Sequence, residues 1–372
     1  MKVLYDHQIF TNQTYGGISR YFFELIKYFK NDDEVKYELS LKYSNNYYLK
    51  KLNNLSYKAF LENYSFRGKY RLLNIINKKV SKKAIYEGNY DIFHPTYYDS
   101  YFLDYIGRKP FVLTIYDMTH EIYSDIFPLK DKTSKRRKLL AQKATKIIAI
   151  SKNTKKDIIR FFSIDENKIE VIYLANSINP SKSTVDINID LPKKYILFVG
   201  SRDGYKNYDL FIEAIAPLLV ENNELKVVCV GGGNFKEIEK EKFKKLNIIN
   251  KIFQYSVSDN VLAYVYQKAI AFVFPSLYEG FGIPILESFA SGCPVICSKT
   301  SSLPEVAGDA VVYFDPTDKL SMLDSIEKVI YNDELKKQLI DKGIEREKEF
   351  AWKKTADKTK KIYEEILWKQ QW

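Results

Sequence analysis

Residues 274–292 read FPSLYEGFGIPILESFASG and set two carboxylates, Glu279 and Glu287, eight positions apart in an apolar segment. A core has no use for unpaired carboxylates, because stripping a charge of water without a partner is costly. The preceding AFVFPS (271–276) reads as a strand, LYEGFG as a loop and IPILESFASG as a short helix. Pro284 stands near the first helical position and Gly292 at the stop. Glu279 then lies beyond the carboxyl end of the strand and Glu287 about one turn inside the helix. The amides of Gly280, Phe281, Gly282 and Ile283 lie between them. Such a site can hold the hydroxyls of a sugar at one carboxylate and a ribose diol at the other, with a diphosphate near the helix N-terminus.

The same strand–loop–helix unit recurs outward in both directions. KVLYD (2–6), YDIFHPT (90–96), FVLTIYD (111–117), KIIAIS (146–151) and IEVIYL (169–174) read as strands of the first half. Residues 18–30 form a helix with apolar positions at 18, 21, 22, 25, 26 and 29, and 132–145 is a strongly basic helix candidate. The polar stretch 176–194 reads as a linker. YILFVGS (195–201), LKVVCVGGG (225–233), AFVFPS, PVICSK (294–299) and AVVYFDP (310–316) then start a second series. The expected architecture is α/β, two doubly wound domains facing each other across a cleft, 1–185 and 186–355. The final amphipathic helix, 352–372, returns residues 356–372 to the first domain. Ligands of such folds bind beyond the carboxyl ends of the strands.

A chain of 372 residues with 45% hydrophobic and 28% charged residues suits two soluble domains. Tyr (30) and Phe (23) are abundant enough to resemble genome composition, so a single tyrosine carries little information. The formal charge of +11 is uneven: residues 1–188 hold 32 Lys and Arg against 20 Asp and Glu, a net of +12, and the remainder hold 26 against 27. A basic half beside a neutral one suggests a surface for an anionic partner: nucleic acid, an anionic membrane or a phosphorylated substrate. Cys229, Cys293 and Cys297 sit in apolar runs at spacings that fit neither a disulfide framework nor a zinc site, and read as buried free thiols. The first residues lack the apolar core of a signal peptide, and no apolar run approaches the roughly 18 residues that span a bilayer. A cytoplasmic protein, at most peripheral on a membrane, is expected.

Three further loops follow strands and precede helices. TYGGISR (14–20) carries Gly16 and Gly17, which let a ligand approach a helix N-terminus or merely make a turn. VGSRDGYKNYDLF (199–211) places Arg202 and Lys206 around a glycine at a helix start, which suits a diphosphate or a solvated loop. VGGGNF (230–235), with Gly232 at its centre, can let a base or ribose lie on the backbone, or make a tight turn.

Taken together, residues 273–317 resemble the signature region of the family four glycosyltransferases, enzymes of the GT-B fold. PSLYEGFGIPILESFASGCPVICS followed by SSLPEVAGDAVVYFDP is similar to their glutamate–seven residues–glutamate motif and downstream LPEV block. The resemblance extends to the GG loop, to Arg202 with Lys206-Asn207, and to FAWKKTA (350–356). It implies that Arg202 and Lys206 hold the diphosphate of a nucleotide-sugar donor, with Gly16, Gly17 and the loop at Gly232 contributing backbone. Glu287 would bind the ribose, and Glu279 would contact the donor sugar and take part in the reaction. The family transfers sugars with retention of configuration and usually without a metal or other cofactor, and no Asp-x-Asp triplet occurs in the chain. Many members carry a histidine before the aspartate that follows the fourth strand; here Tyr116 precedes Asp117. Tyr116 can still donate a hydrogen bond to the donor sugar, and Asp117 either joins the catalysis or caps the next turn.

The implied function is transfer of a hexose-type sugar from a GDP- or UDP-linked donor to a saccharide or polyprenyl-diphosphate-linked acceptor, in bacterial surface polysaccharide synthesis. The basic half, and the helix 132–145 in particular, would meet an anionic membrane. A sugar-nucleotide epimerase or phosphorylase on the same fold is the alternative. A nucleic-acid-binding protein would leave Glu279, Glu287 and the four loops without a purpose.

Overall fold

A computed structural model describes residues 1–52, 56–128, 131–178, 180, 189–202 and 204–370. Residues 181–188, inside the expected linker, and Asp203, inside the loop 199–211, lie outside the described residues. The chain forms two compact units, 175–351 and a unit that joins 1–174 to 352–372.

The second unit carries six parallel strands: β7 (Lys194–Val199), β8 (Leu225–Val230), β9 (Ile252–Tyr255), β10 (Ala271–Phe274), β11 (Val295–Ser298) and β12 (Val311–Phe314). Their order is β12-β11-β10-β7-β8-β9. The strands read as unbroken apolar runs because helices cover both faces of the sheet. Ile196, Phe198, Val227, Cys229, Val273 and Ile296 enter one core with Phe211, Ile215 and Leu219 of the helix Tyr208–Glu221 and Met322 and Ile326 of the helix Lys319–Ile330. On the other face Tyr266 meets Phe272 edge-on at 5.4 Å. Each such fully buried side chain contributes on the order of 1.5–3 kcal/mol. All three cysteines are free and buried, and burial pushes the Cys229 and Cys293 thiols up to about 12.

In the first unit, β1 (Lys2–Tyr5), β2 (Lys36–Leu39) and β3 (Ile92–His94) pair in parallel in the order β2-β1-β3. β4 (Val112–Ile115), β5 (Lys146–Ala149) and β6 (Ile169–Val171) form a second parallel set, joined to the first by a bridge between Phe93 and Phe111. The helix Trp352–Gln370 packs on the helix Gly17–Phe29. Tyr363 fixes it from below: its hydroxyl lies 3.1 Å from Tyr5 Oη and 2.6 Å from His94 Nδ1, all fully buried. His94 Nε2 in turn meets Thr114 Oγ1 at 2.9 Å.

Several elements, the helix Lys69–Glu87 among them, were not placed from the sequence, and three show why. β2 and β9 are edge strands, KYEL and IFQY, whose half-exposed residues break the apolar run that marks a central strand. The third is the short helix Gln8–Asn12, only five residues between β1 and the GG loop.

Candidate active site

In the second unit β7 is flanked by β8 on one side and β10 on the other, so the direction of winding reverses between β7 and β10. This is the switch point where the loops leave an open crevice. The loops after β7, β10 and β11 run side by side there because the strands pair in register, Ala271 with Ile196 and Phe274 with Cys297. The Leu277 amide donates to the Tyr205 carbonyl at 2.8 Å, which stitches the first two loops together.

That stitch brings Lys206 Nζ to 2.6 Å from Glu279 Oε1. The same oxygen accepts from Ser276 Oγ at 2.7 Å. Oε2 accepts nothing among the described residues. The two side chains are 18% and 13% exposed, so the pair is neither solvent-screened nor sealed. The third loop supports the second: the Glu279 amide donates to Ser301 Oγ at 3.0 Å. Ser302 Oγ lies 2.9 Å from the Glu279 carbonyl and 3.0 Å from that of Phe281. These three serines were not singled out from sequence. Their signal was positional, polar residues directly after adjacent parallel strands, and only the register makes them neighbours.

The helix Ile283–Ala290 starts at Gly282, whose φ of 105° falls in the left-handed region. The conformation calls for glycine, and a Cβ there would sit 3.0 Å from Leu303 Cδ2, which would have to give by a few tenths of an ångström. Pro284 stands in the first turn, where its missing N–H costs nothing. Glu287 is buried in this helix, with Tyr266 Oη 3.5 Å from its Oε2. Phe281 turns its ring onto Phe350, edge-on at 5.8 Å, so it offers the crevice its backbone and not its side chain.

Arg202, expected beside Lys206, is directed elsewhere. It is 7% exposed and its Nε donates to Glu239 Oε1 at 2.6 Å. Nη1 donates to the Gly231 carbonyl at 3.0 Å, and Nη2 to those of Gly233 and Asn234 at 3.0 and 3.1 Å. The guanidinium thus clasps the glycine loop. Gly232, with φ of 71°, packs so close that a Cβ would lie 2.7 Å from Arg202 Nη1. Glu239, which anchors the clasp, was not foreseen. A cavity opens beside Arg202, lined by Gly204, Tyr208, Lys236, Glu239 and Lys242, and takes in neither Lys206 nor Glu279 nor Glu287.

Gly16, Gly17, Tyr116 and Asp117 belong to the first unit. Gly16 is extended, and a Cβ there would sit 2.6 Å from Gln13 Oε1, which also accepts from the Ser19 amide at 3.2 Å. A Cβ on Gly17 would meet nothing within 4 Å, so the helix start is open at that residue. One turn on, Tyr21 meets the ring of Tyr116 edge-on at 5.7 Å. The Tyr116 hydroxyl is buried without a hydrogen-bond partner among the described residues, and burial raises its pKa well above the phenol range.

Asp117 Oδ1 accepts from the Thr119 amide at 2.9 Å, which caps the turn Thr119–Ile122. Burial works against its charge. The Arg137 guanidinium, with Nη1 3.6 Å away, and the Thr119 amide outweigh burial and hold the carboxyl below its ordinary range. Arg137 is itself buried, donates to the Asp117 carbonyl and lies 3.2 Å from Glu121 Oε2. His120 stacks on Phe127 and pairs with Asp131 at 3.3 Å.

The model of Glycosyltransferase Family 4 matches residues 15–175, and that of Glycosyl transferases group 1 matches 181–346. The Escherichia coli O-antigen chain mannosyltransferase B is 28% identical over 227 residues, 58% of this chain and 60% of the relative. A Campylobacter jejuni diphospho-undecaprenol 4-alpha-N-acetylgalactosaminyltransferase is 32% identical over 221 residues, 59% of this chain. The chain spans 60% of the length of both relatives. The structure of Anabaena HepE in complex with UDP and glucose superposes with a TM-score of 0.73 at 16% identity, over 97% of this chain and 99% of that one. Among the described residues, no helix is long and apolar enough to cross a membrane. The chain belongs to the family four glycosyltransferases and has their GT-B fold.

Proposed function

We propose that the chain is a glycosyltransferase that moves a hexose-type sugar from a GDP- or UDP-linked donor to a saccharide or polyprenyl-diphosphate-linked acceptor, in the synthesis of a bacterial surface polysaccharide. It works with retention of configuration, without a metal, on the cytoplasmic side of the membrane. The family supports the reaction class, and the names of the two relatives support a lipid-linked or O-antigen acceptor. HepE holds UDP and glucose in its structure, which supports a nucleotide-sugar donor.

The observation that carries the reading is the state of Glu279. One oxygen is fixed by Lys206 and Ser276, while the other has no partner among the described residues at the switch point, beside the start of the helix Ile283–Ala290. A carboxylate held that way can accept from the hydroxyls of a sugar and oppose positive charge that grows at its anomeric carbon. Lys206 and the amides of Gly282 and Ile283 suit the charge that develops on the leaving diphosphate. Glu287 takes the ribose diol, and the open helix start at Gly16 and Gly17 suits a phosphate group. The bond between the anomeric carbon and the diphosphate oxygen breaks as the acceptor oxygen bonds to that carbon on the same face. The acceptor proton passes to an oxygen of the departing phosphate. A covalent intermediate on Glu279 is disfavoured, because its side-chain neighbours among the described residues are a cation and a hydroxyl and not the second carboxyl group that double displacement uses.

The test is transfer from labelled nucleotide-sugars to lipid-linked acceptors, with chelator present and absent. Glu279→Ala loses turnover while circular dichroism shows the fold retained, with some loss of melting temperature from the broken pair with Lys206. Undiminished turnover would remove the assignment, and abolition by chelator alone would refute metal independence.

A further inference from the structure

The sequence pointed to the helix 132–145 as the basic surface for an anionic membrane. In the structure that helix, Thr133–Lys143, keeps Arg137 buried in the cluster with Asp117 and Glu121, and Leu139 is its one large exposed apolar side chain. A different element of the same unit combines cations with exposed apolar bulk. Residues 63–86 hold seven Lys and Arg and no Asp or Glu. The same span exposes Tyr64 (68%), Tyr70 (60%), Ile75 (57%) and Tyr86 (79%), with Phe66 and Leu72 beside them.

Apart from Tyr70, which stands in the first turn on the side of the buried row, the helix residues are ordered into one face. The helix Lys69–Glu87 buries Leu73, Asn77, Ser81 and Ile85, a row at intervals of four. A second row, Arg71, Ile75, Lys79, Lys83 with Tyr86 one turn on, points outward. Lys69 ties the preceding turn to the helix start through the carbonyls of Leu61 and Tyr64, both at 2.8 Å. Tyr64, Phe66 and Arg67 therefore continue the same surface.

We propose that this turn and the outer face of this helix form an interfacial surface that docks the protein on an anionic lipid bilayer. Tyrosines at headgroup level, aliphatic side chains just below and cations against lipid phosphate are the combination that holds an amphipathic helix in the plane of a membrane. Lys78 pairs with Asp99 at 2.8 Å and Lys83 with Glu87 at 3.6 Å, which leaves Arg67, Arg71 and Lys79 as the main outward cations. A second copy of this chain is a poor occupant, because a two-fold interface would set them against their own kind. A nucleic acid would match the cations but leave Ile75 and Leu72 without a partner. The surface is independent of the proposed transfer reaction, because it rests on exposure and charge alone.

The test is flotation of the full chain with vesicles of phosphatidylcholine alone and of phosphatidylcholine with phosphatidylglycerol in equal parts. Wild type binds the anionic vesicles and not the neutral ones. Arg71→Glu/Lys79→Glu lowers the partition coefficient by at least about 25-fold, about fivefold for each cation removed. Ile75→Ser/Tyr86→Ser weakens it with the cations intact, and Lys135→Glu/Arg136→Glu on the other helix leaves it near wild type. Equal binding to both vesicles, or loss with the 135/136 variant and not with the other two, overturns the proposal. So does a wild type that is dimeric in solution and becomes monomeric in the 75/86 variant, or one that binds RNA and no vesicle. Transfer to a water-soluble acceptor stays at wild-type level in all three variants, so a failed docking surface and a failed reaction assignment give different results.

Discussion

Arg202→Ala separates a clasp from a ligand. The side chain donates to Glu239 and to three loop carbonyls at 3.1 Å or less. Removing one partner of a buried ion pair typically costs about 3–5 kcal/mol, because the other charge is left stranded. Here Glu239 keeps one donor, the Lys236 amide at 2.6 Å on its Oε2, and its side chain is 12% exposed. Both facts place the expected loss at the low end, about 3 kcal/mol. For a unit of this size that corresponds to a fall in melting temperature of roughly 6–12 °C. Arg202→Lys keeps the charge but cannot reach Glu239 and the loop carbonyls together, so it recovers less than half of the loss. Differential scanning calorimetry of the full chain reads the shift. Nucleotide affinity then falls in Arg202→Ala only as far as the glycine loop loses its form. An unchanged melting temperature with a large loss of affinity would refute the clasp and return Arg202 to direct contact with phosphate.

Three other outcomes follow from single contacts. Tyr363→Phe removes the hydroxyl between Tyr5 and His94 and leaves buried polar atoms unpaired, at a cost of about 2 kcal/mol; denaturant titration showing less than a quarter of that would exclude the network as an anchor of the final helix. His94 is lowered to about 3 by burial from its ordinary 6.5, so the unfolded chain takes up a proton that the folded chain refuses. Its contribution is full above pH 6.5 and declines as pH falls toward 3, by about 2 kcal/mol between pH 7 and 5, and His94→Gln flattens that part of the stability profile. If wild type and variant lose stability in parallel, the assignment is wrong. Gly282→Ala forces a left-handed alanine against Leu303 and costs about 1–3 kcal/mol, read as a lower unfolding midpoint; an unaltered midpoint would mean that the loop relaxes freely.

The sequence marked the candidate loops and left the contacts among them obscure. Glu279, Lys206 and Gly282 stood out because charge and glycine are conspicuous beside apolar strands, and strand periodicity places the loops that carry them. The partners of those residues depend on which strand lies beside which. Ser276, Ser301 and Ser302 become one support for Glu279 only through the pairing of β10 with β11. Arg202 illustrates the same limit: a cation at a helix start fits a phosphate equally well until Glu239, from a helix 37 residues away, appears beside it. Abundance also misled. Tyrosine is common enough in this chain to look uninformative, yet Tyr5, Tyr21 and Tyr363 are fully buried and hydrogen-bonded. The basic helix 132–145 stood out by its charge, although its central arginine is an internal structural ion.

The central claim is that Glu279 serves the donor sugar while Lys206 serves the diphosphate. Calorimetric titration of wild type and Glu279→Ala with a nucleoside diphosphate and with its sugar conjugate tests that division directly. Loss of the carboxylate releases Lys206 from its 2.6 Å pair, so the variant binds the bare nucleoside diphosphate at least as tightly as wild type. The extra affinity contributed by the sugar disappears. Equal weakening of both ligands, or a sugar increment that survives in the variant, would contradict the account.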